Sequence, residues 1–252
     1  MAFDFDGSTH LRSDWKPWDT WGDTTVAMWI RPHSSQDANV FSHFAGGGYY
    51  SLLGILSDGT ARARWRGADT RNVVSSNTYT ANAWTHLVGQ WGVSRVRAVF
   101  LNGTKTTTGA GYSSGAEPTR WSWGAYDSGS SPFDGDMLWP AVWNVQLSDE
   151  EVASLYAGAS PLMVRPDDLA YFAPWGALDE ERITDLIGGT TIPLLSGTET
   201  YSDSSPAGLI YPSQQIIGVS QGIITPPPQY NQRQILLKNR MSIQNSRLLI
   251  GK

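Results

Sequence analysis

The sequence predicts an all-β protein, an antiparallel two-sheet sandwich with one short helix and an extended C-terminal arm. Its 252 residues include 26 Gly, 14 Pro and 12 Trp, and only 16% are charged, which is typical of short strands joined by tight turns. Several segments alternate with the period of two that defines β-strands. Cysteine is absent, so packing rather than disulfides or zinc–thiolate sites must stabilise the fold.

The first three strand candidates come early in the chain. Residues 24–32, TTVAMWIRP, are apolar on both alternating faces, as in a sandwich interior, until the proline stops the strand. Residues 49–66 predict a hairpin that turns at Asp58-Gly59. Its return strand alternates buried-type residues with arginines, which predicts one basic, solvated face formed by Arg62, Arg64 and Arg66.

Further strand candidates follow in order. Residues 83–105 predict a second hairpin that ends at the turn signal Asn102-Gly103. Residues 120–129 and 135–145 predict two more short strands. In the first of these, Trp121 and Trp123 are two positions apart, so we expect both on one face of the strand. Two later candidates lie at 167–175 and 190–197.

The one predicted helix begins after Ser148. Glu151 stands three residues later, as a capping box requires, and Gly158 ends the helix. Val152, Leu155 and Tyr156 share one face. We therefore expect a short helix that packs this face on the sandwich.

Formal charge divides the chain into two parts. Residues 1–203 carry −10, whereas residues 204–252 contain no acidic residue and carry +5. The second part also contains three consecutive prolines, which favour an extended conformation, and too few apolar residues for a core. We predict a folded domain over 1–203 and a basic arm over 204–252 for docking or oligomer contacts. The docking candidates are Arg233, Ile235, Leu237, Lys238, Arg240, Arg247 and Leu249.

Five motifs, in this order, resemble the laminin G-like, concanavalin A-like lectin and glucanase jelly-roll family, particularly the version found in bacterial surface proteins and phage virion proteins. They are FDFDGSTHL (3–11), TTVAMWIRP (24–32), AWTHLVGQW (83–91), VFLNGTK (99–105) and the segment 132–161. The last is the most specific, because it joins a glycine turn, a strand ending in Trp143-Asn144 and a capped helix. The resemblance implies a two-sheet antiparallel jelly roll that binds surface glycans or serves as a structural module.

The sequence contains no recognisable catalytic motif. A glycosidase needs two carboxylates about 5 to 10 Å apart, and the ExDxxE pattern of the related β-glucanases is absent. The four histidines show no HxH or HExxH spacing, and the glycines at 46–48 lack the Lys-Ser/Thr of a phosphate loop. We therefore predict a protein that is not an enzyme and requires no cofactor.

Calcium is the one metal for which the sequence offers candidates. The family resemblance implies a calcium site at the sandwich rim, built from carboxylate and carbonyl oxygens. Asp127, Asp134 and Asp136 are the candidate ligands. The other interpretation is that these residues simply form turns, as Asp in loops often does.

Three tryptophans, Trp15, Trp18 and Trp21, stand within seven residues of what reads as a loop. Either they close the open end of the jelly roll, or at least one ring stacks on a sugar or a partner. Together with Tyr126 and Asp127, which follow the Trp121 strand, they are the candidates for glycan or partner binding.

These features favour a non-enzymatic phage virion protein, a head decoration or tail-associated component that displays a lectin-like module. The N-terminus lacks a signal-peptide pattern and no apolar run approaches the ~20 residues of a membrane span, so we expect synthesis in the host cytoplasm, residence in the virion and no membrane contact. The expected partners are capsid or tail proteins, a host-surface glycan and further copies of the chain. Nucleic acid is disfavoured, because the basic arm lacks interleaved aromatics. The alternative function is a carbohydrate-binding adhesin that recognises host-surface glycans.

Overall fold

The computed structural model describes most of the first 210 residues. The described ranges are 2–14, 22–45, 48–67, 70–92, 97–108, 118–175, 185–189, 192–198 and 200–210. The predicted tryptophan loop and the docking candidates of the arm lie outside these ranges. Their roles therefore stay predictions, as does the domain boundary at 203.

The described residues form two antiparallel sheets, which confirms the predicted sandwich. The first sheet contains β1 (Ala2–Asp6), β3 (Thr24–Pro32), β8 (Thr85–Trp91), β9 (Arg97–Leu101), β10 (Thr104–Thr108), β12 (Asp134–Trp143), β13 (Leu169–Phe172) and β15 (Thr200–Ser202). Its spatial order is β10-β9-β8-β3-β12-β1-β15. Strand β13 pairs with the second half of β12, beyond the part that pairs with β1.

The second sheet contains seven strands. They are β2 (His10–Ser13), β4 (Ala38–Ala45), β5 (Tyr49–Ile55), β6 (Ala61–Arg66), β7 (Thr70–Val74), β11 (Pro118–Trp123) and β14 (Leu194–Ser196). Their spatial order is β14-β2-β11-β4-β5-β6-β7. The predicted hairpin over 49–66 is thus confirmed as β5 and β6, with Gly59 at φ +88° in the turn.

The core between the sheets contains many aromatic side chains. Trp65, Trp121 and Trp123 of the second sheet and Phe3 and Phe5 of the first belong to it, and all five are buried. The rings of Trp121 and Trp123 are 5.7 Å apart. Because large aromatic side chains bury ~150–250 Å² each, this layer stabilises a chain that has no disulfide.

A second apolar layer covers the outer face of the first sheet. Helix α1 (Asp149–Tyr156) buries Val152 and Leu155 there, against a cluster that includes Trp29 and Trp143. Ser148 and Glu151 form the predicted capping box. Tyr156 departs from the expectation, because 44% of it is exposed, although its ring still stacks 6.1 Å from that of Trp29. The outer face of the second sheet instead carries arginine and aromatic side chains.

Candidate functional site

The outer face of the second sheet carries arginine and aromatic side chains in register. Ala61, Ala63 and Trp65 of β6 lie in the core, so the alternating arginines of that strand point the opposite way. Pairing of four neighbouring strands then forms a row across the sheet. In order from β11 to β6, its members are Arg120, Phe44, Tyr50 and Arg66.

A second row runs beside the first, one pleat along the strands. From β2 to β6 its members are Arg12, Ser122, Ser42, Leu52 and Arg64. The hydroxyl oxygens of Ser42 and Ser122 are 2.6 Å apart, and Leu52 is only 3% exposed. The middle of this face is therefore a floor of small and apolar groups with cations on both sides.

Tyr126 adds a third aromatic ring at one end of the first row. Its ring lies edge-on to Tyr50, with centroids 5.3 Å apart, and to Phe44 at 6.3 Å. The turn that holds it closes through hydrogen bonds between Tyr126 and residues 129 and 130. Since β-strands and a closed turn hold all three rings, their arrangement is preformed. We call the surface formed by Phe44, Tyr50, Arg64, Arg66, Arg120 and Tyr126 the arginine–aromatic face.

The guanidinium groups lie close to these rings. Arg64 and Arg66 place their Cζ atoms 5.6 and 5.7 Å from the centroid of the Tyr50 ring, and Arg120 lies 4.7 Å above Phe44. These distances are within the range of cation–π attraction. The aromatic rings thus hold the charged groups in place without neutralising them.

Asp127 lies at the edge of this face and is bound to Arg120. Its two carboxylate oxygens accept from Nε and Nη2 of Arg120, the latter at 2.7 Å. This hydrogen bond raises the pKa of Arg120. Of the predicted glycan-binding residues, Tyr126 and Asp127 are therefore brought together, but Asp127 is engaged by an arginine that the sequence did not assign to the site.

A separate carboxylate cluster lies on the first sheet. Neighbouring strands bring Asp4, Asp136 and Arg31 into one row, in which Arg31 forms an ion pair with Asp136. His33 Nδ1 lies 2.9 Å from the carboxylate of Asp134, and His33 Nε2 lies 3.6 Å from that of Asp136. Burial, followed by the charge of Asp136, raises the pKa of Asp4.

This cluster includes two of the three predicted calcium candidates. Asp4, His33 and Asp136 offer ligand atoms that lie within 4.8 Å of one another. Within the described ranges, these three residues form the group of side chains that could together hold a metal ion. One oxygen each of Asp4 and Asp136 is buried without a hydrogen bond, which suits a cation, whereas Arg31 already partners Asp136. Of the predicted candidates, only Asp136 is part of this group: Asp134 contacts His33 but is not in it, and Asp127 lies beside the other sheet. Calcium binding stays a prediction.

The sequence matches the model of the concanavalin A-like lectin/glucanases superfamily over residues 5–153. This match covers more than half of the chain, and the two-sheet sandwich agrees with it. The protein therefore belongs to this superfamily. No curated protein matches the sequence.

Solved structures show the same fold. A putative carbohydrate binding protein from Bacteroides ovatus aligns with TM-score 0.58 and 17% identity, over 79% of this chain and 58% of that chain. Domain 4 of an extracellular arabinanase from Geobacillus stearothermophilus, in complex with arabinotriose, aligns with TM-score 0.50 and 17% identity, over 61% and 75%. A native heptameric SAP-like pentraxin from Limulus polyphemus aligns with TM-score 0.50 and 18% identity, over 63% and 82%. At these identities the likeness establishes the fold alone.

No helix within the described ranges has the length and apolar character needed to cross a membrane.

Proposed function

We propose that the protein is a non-enzymatic carbohydrate-binding module whose glycan lies on the arginine–aromatic face. The observation that carries this proposal is the preformed cluster of Phe44, Tyr50 and Tyr126 beside the guanidinium groups of Arg64 and Arg66. Aromatic rings pack on the apolar C–H faces of sugars, and guanidinium N–H groups donate to their oxygens. The Bacteroides protein, a putative carbohydrate binding protein, and the arabinanase domain in complex with arabinotriose support the proposal.

The proposal of a non-catalytic role follows from the acids near this face. Hydrolysis of a glycosidic bond needs an acid and a second carboxylate across the bond. Asp127 is held by two hydrogen bonds from Arg120, so both of its carboxylate oxygens are already engaged. The outward positions of β4, β5, β6 and β11 carry no acidic residue.

Glycan binding is tested with matched tyrosine variants and a glycan array, followed by calorimetry on any hit. Tyr126→Ala removes a half-buried ring of the face, whereas Tyr156→Ala removes an exposed ring on the opposite sheet and serves as control. We expect Tyr126→Ala to weaken binding about tenfold or more, and Tyr156→Ala to leave it unchanged. Equal binding by both variants and the parent protein would contradict the proposed face.

We further propose that this module is displayed on a phage particle, as a head decoration or tail-associated protein attached through residues 204–252. The division of formal charge between −10 and +5 supports two separate roles for the two parts. The alternative is an adhesin in which glycan contact is the main function. A decoration protein attaches to the particle through its arm, while an adhesin needs only its glycan.

Particle incorporation distinguishes these two roles. Mass spectrometry of purified particles should detect the protein, and deletion of residues 226–252 should abolish incorporation while the far-ultraviolet circular dichroism of the sandwich is retained. Full incorporation of the truncated protein would overturn attachment through the arm. Absence of the protein from particles, with glycan binding retained, would favour the adhesin.

A further inference from the structure

The arginine–aromatic face carries more positive charge than its neighbours neutralise. Together with the flanking positions of the same sheet, it presents five arginines, namely Arg12, Arg62, Arg64, Arg66 and Arg120. Three of them alternate along β6, where side chains on one face are spaced roughly 7 Å apart.

The acidic groups near this face leave most of that charge uncompensated. Asp127 pairs with Arg120. Burial and the charge of Arg64 lower the pKa of Arg62, and the charge of Asp37 offsets this only in part. Within the described ranges, no ion pair involves the three arginines of β6.

Two of these arginines also contain buried donors without a partner. The Nε atoms of Arg62 and Arg64 are inaccessible to solvent and form no hydrogen bond in the structure. A buried charged donor that lacks an acceptor costs free energy. After burial, the charge of Arg64 is the next contribution to the lowered pKa of Arg62. An anionic group beside the two side chains would offset the repulsion between their charges.

The positions of Arg64 and Arg66 suit a carboxylate. Both guanidinium groups lie within 6 Å of the same ring, Tyr50, so two planar donors flank one aromatic surface. A guanidinium binds a carboxylate through two parallel N–H···O bonds. Tyr50 itself is only 6% exposed, so the half-buried ring of Tyr126, 5.3 Å from it, is the one that can contact the pyranose. Neutral sugars do not need this density of cations.

We propose that the glycan is an acidic polysaccharide, whose carboxylates bind Arg64 and Arg66 while a sugar ring contacts Tyr126. This inference rests on the proposed glycan-binding function and specifies its ligand class. The proposed binding residues all lie in the described sandwich and outside the basic arm.

The test compares acidic polysaccharides with their neutral counterparts. Polygalacturonate, alginate and hyaluronate are each paired with the carboxyl-reduced form of the same polymer, and binding is measured by calorimetry at low and high salt. We expect at least one acidic polymer to bind at least tenfold more tightly than its reduced form, and added salt to weaken it. Equal affinity within all three pairs would overturn the inference.

Charge variants locate the interaction. Arg64→Gln and Arg66→Gln should each lower the affinity for the acidic polymer about tenfold, and Arg66→Lys should lose less because it keeps the charge but not the bidentate geometry. Lys105→Gln is the control, since it removes one cation from β10 of the other sheet, where Lys105 pairs with Asp149. A loss in Lys105→Gln equal to that in the arginine variants would indicate non-specific attraction and overturn the assignment.

The same variants separate this inference from the proposed function. If Tyr126→Ala abolishes binding while Arg64→Gln and Arg66→Gln leave it unchanged, the face binds a neutral glycan and only the acidic class is wrong. If Tyr126→Ala and both arginine variants bind as the parent protein does, the proposed face itself is wrong. A single-stranded DNA oligomer that competes with equal affinity would assign the face to nucleic acid instead.

Discussion

Ser148 and Glu151 bind each other's backbone at the start of helix α1. The backbone N–H of Glu151 donates to Ser148 Oγ at 3.2 Å, and the N–H of Ser148 donates to the Glu151 carboxylate at 2.7 Å. Two amide groups that the helix itself cannot satisfy are thus paired. The same carboxylate accepts from Arg165 Nε at 2.8 Å, which links the helix to the segment that leads into β13.

Removing the Ser148 hydroxyl should destabilise the protein. Ser148→Ala leaves the N–H of Glu151 without its acceptor, and we expect a loss of about 1 kcal/mol in the free energy of unfolding, measured in urea. Ser154→Ala is the control, because its hydroxyl accepts no capping bond and donates back to the carbonyl of Glu150 within the same helix. A loss in Ser154→Ala as large as that in Ser148→Ala would contradict the capping role.

Leu155 should contribute more than the cap. It is 3% exposed and packs in the apolar layer on the first sheet. Leu155→Ala should cost roughly 2 to 5 kcal/mol, because it leaves a cavity in a packed site. Chemical denaturation checks this value, and a change within error would mean that the helix does not stabilise the sandwich.

The burial of His86 should make stability depend on pH. Burial lowers its pKa from 6.5 to about 3, so between these values the unfolded chain binds a proton that the folded chain does not. Stability should therefore fall as the pH drops from about 6.5 toward 3. His86→Gln should flatten this part of the profile, as measured by urea unfolding at several pH values. An unchanged slope would exclude His86 as its source.

Asp4 and Asp6, on the same strand, should respond to pH with opposite signs. Burial and the charge of Asp136 raise the pKa of Asp4, so its ionisation opposes folding above that pKa. Asp4→Asn should then raise the melting temperature at pH 7, and the gain should vanish in acid. Hydrogen bonds from Ser8 and Thr9 lower the pKa of Asp6 to about 2, so Asp6→Asn should lower the melting temperature at pH 7. Shifts of the same sign in both variants would contradict the opposite pKa directions of the two carboxyls.

Calcium should stabilise the protein if it binds at the carboxylate cluster, where Asp136, one of the three predicted candidates, lies beside Asp4. A ligand at a hundredfold excess over its Kd adds about 2.7 kcal/mol, which thermal unfolding of chelator-treated protein would detect. The stabilisation should be smaller in Asp4→Asn, which keeps the ion pair between Arg31 and Asp136 but loses a ligand charge. Unchanged melting of the parent protein in millimolar calcium would reject the site.

Local patterns predicted several of the strands that bury a face, but not β4, which is buried between β11 and β5. The hairpin over 49–66 and strand β3 were evident because their alternation and turn residues are local signals. The edge strands β7 and β10 were not predicted, since TRNVV and TKTTT are largely exposed and show no apolar alternation. An edge strand forms mainly because a neighbouring strand pairs with it, and the sequence does not show which strand that neighbour is.

The candidate site was predicted only in part. The turn at Asp58-Gly59 fixes the hairpin register, so the pairing of Tyr50 with Arg66 could have been found from sequence. Arg120 lies opposite Phe44 through the pairing of β11 with β4, a contact between distant segments that no local pattern encodes. Asp127 was therefore proposed as a ligand without its arginine partner.

The position of β1 determines when the first sheet can close. Its residues pair with 134–137 on one side and with 200–202 on the other. At a synthesis rate of about 5–20 residues per second, β1 remains on the ribosome without a partner for on the order of ten seconds. During that time its unpaired edge is open to other nascent chains. We therefore expect the yield of soluble protein to depend on translation rate and temperature more strongly than its final stability would indicate.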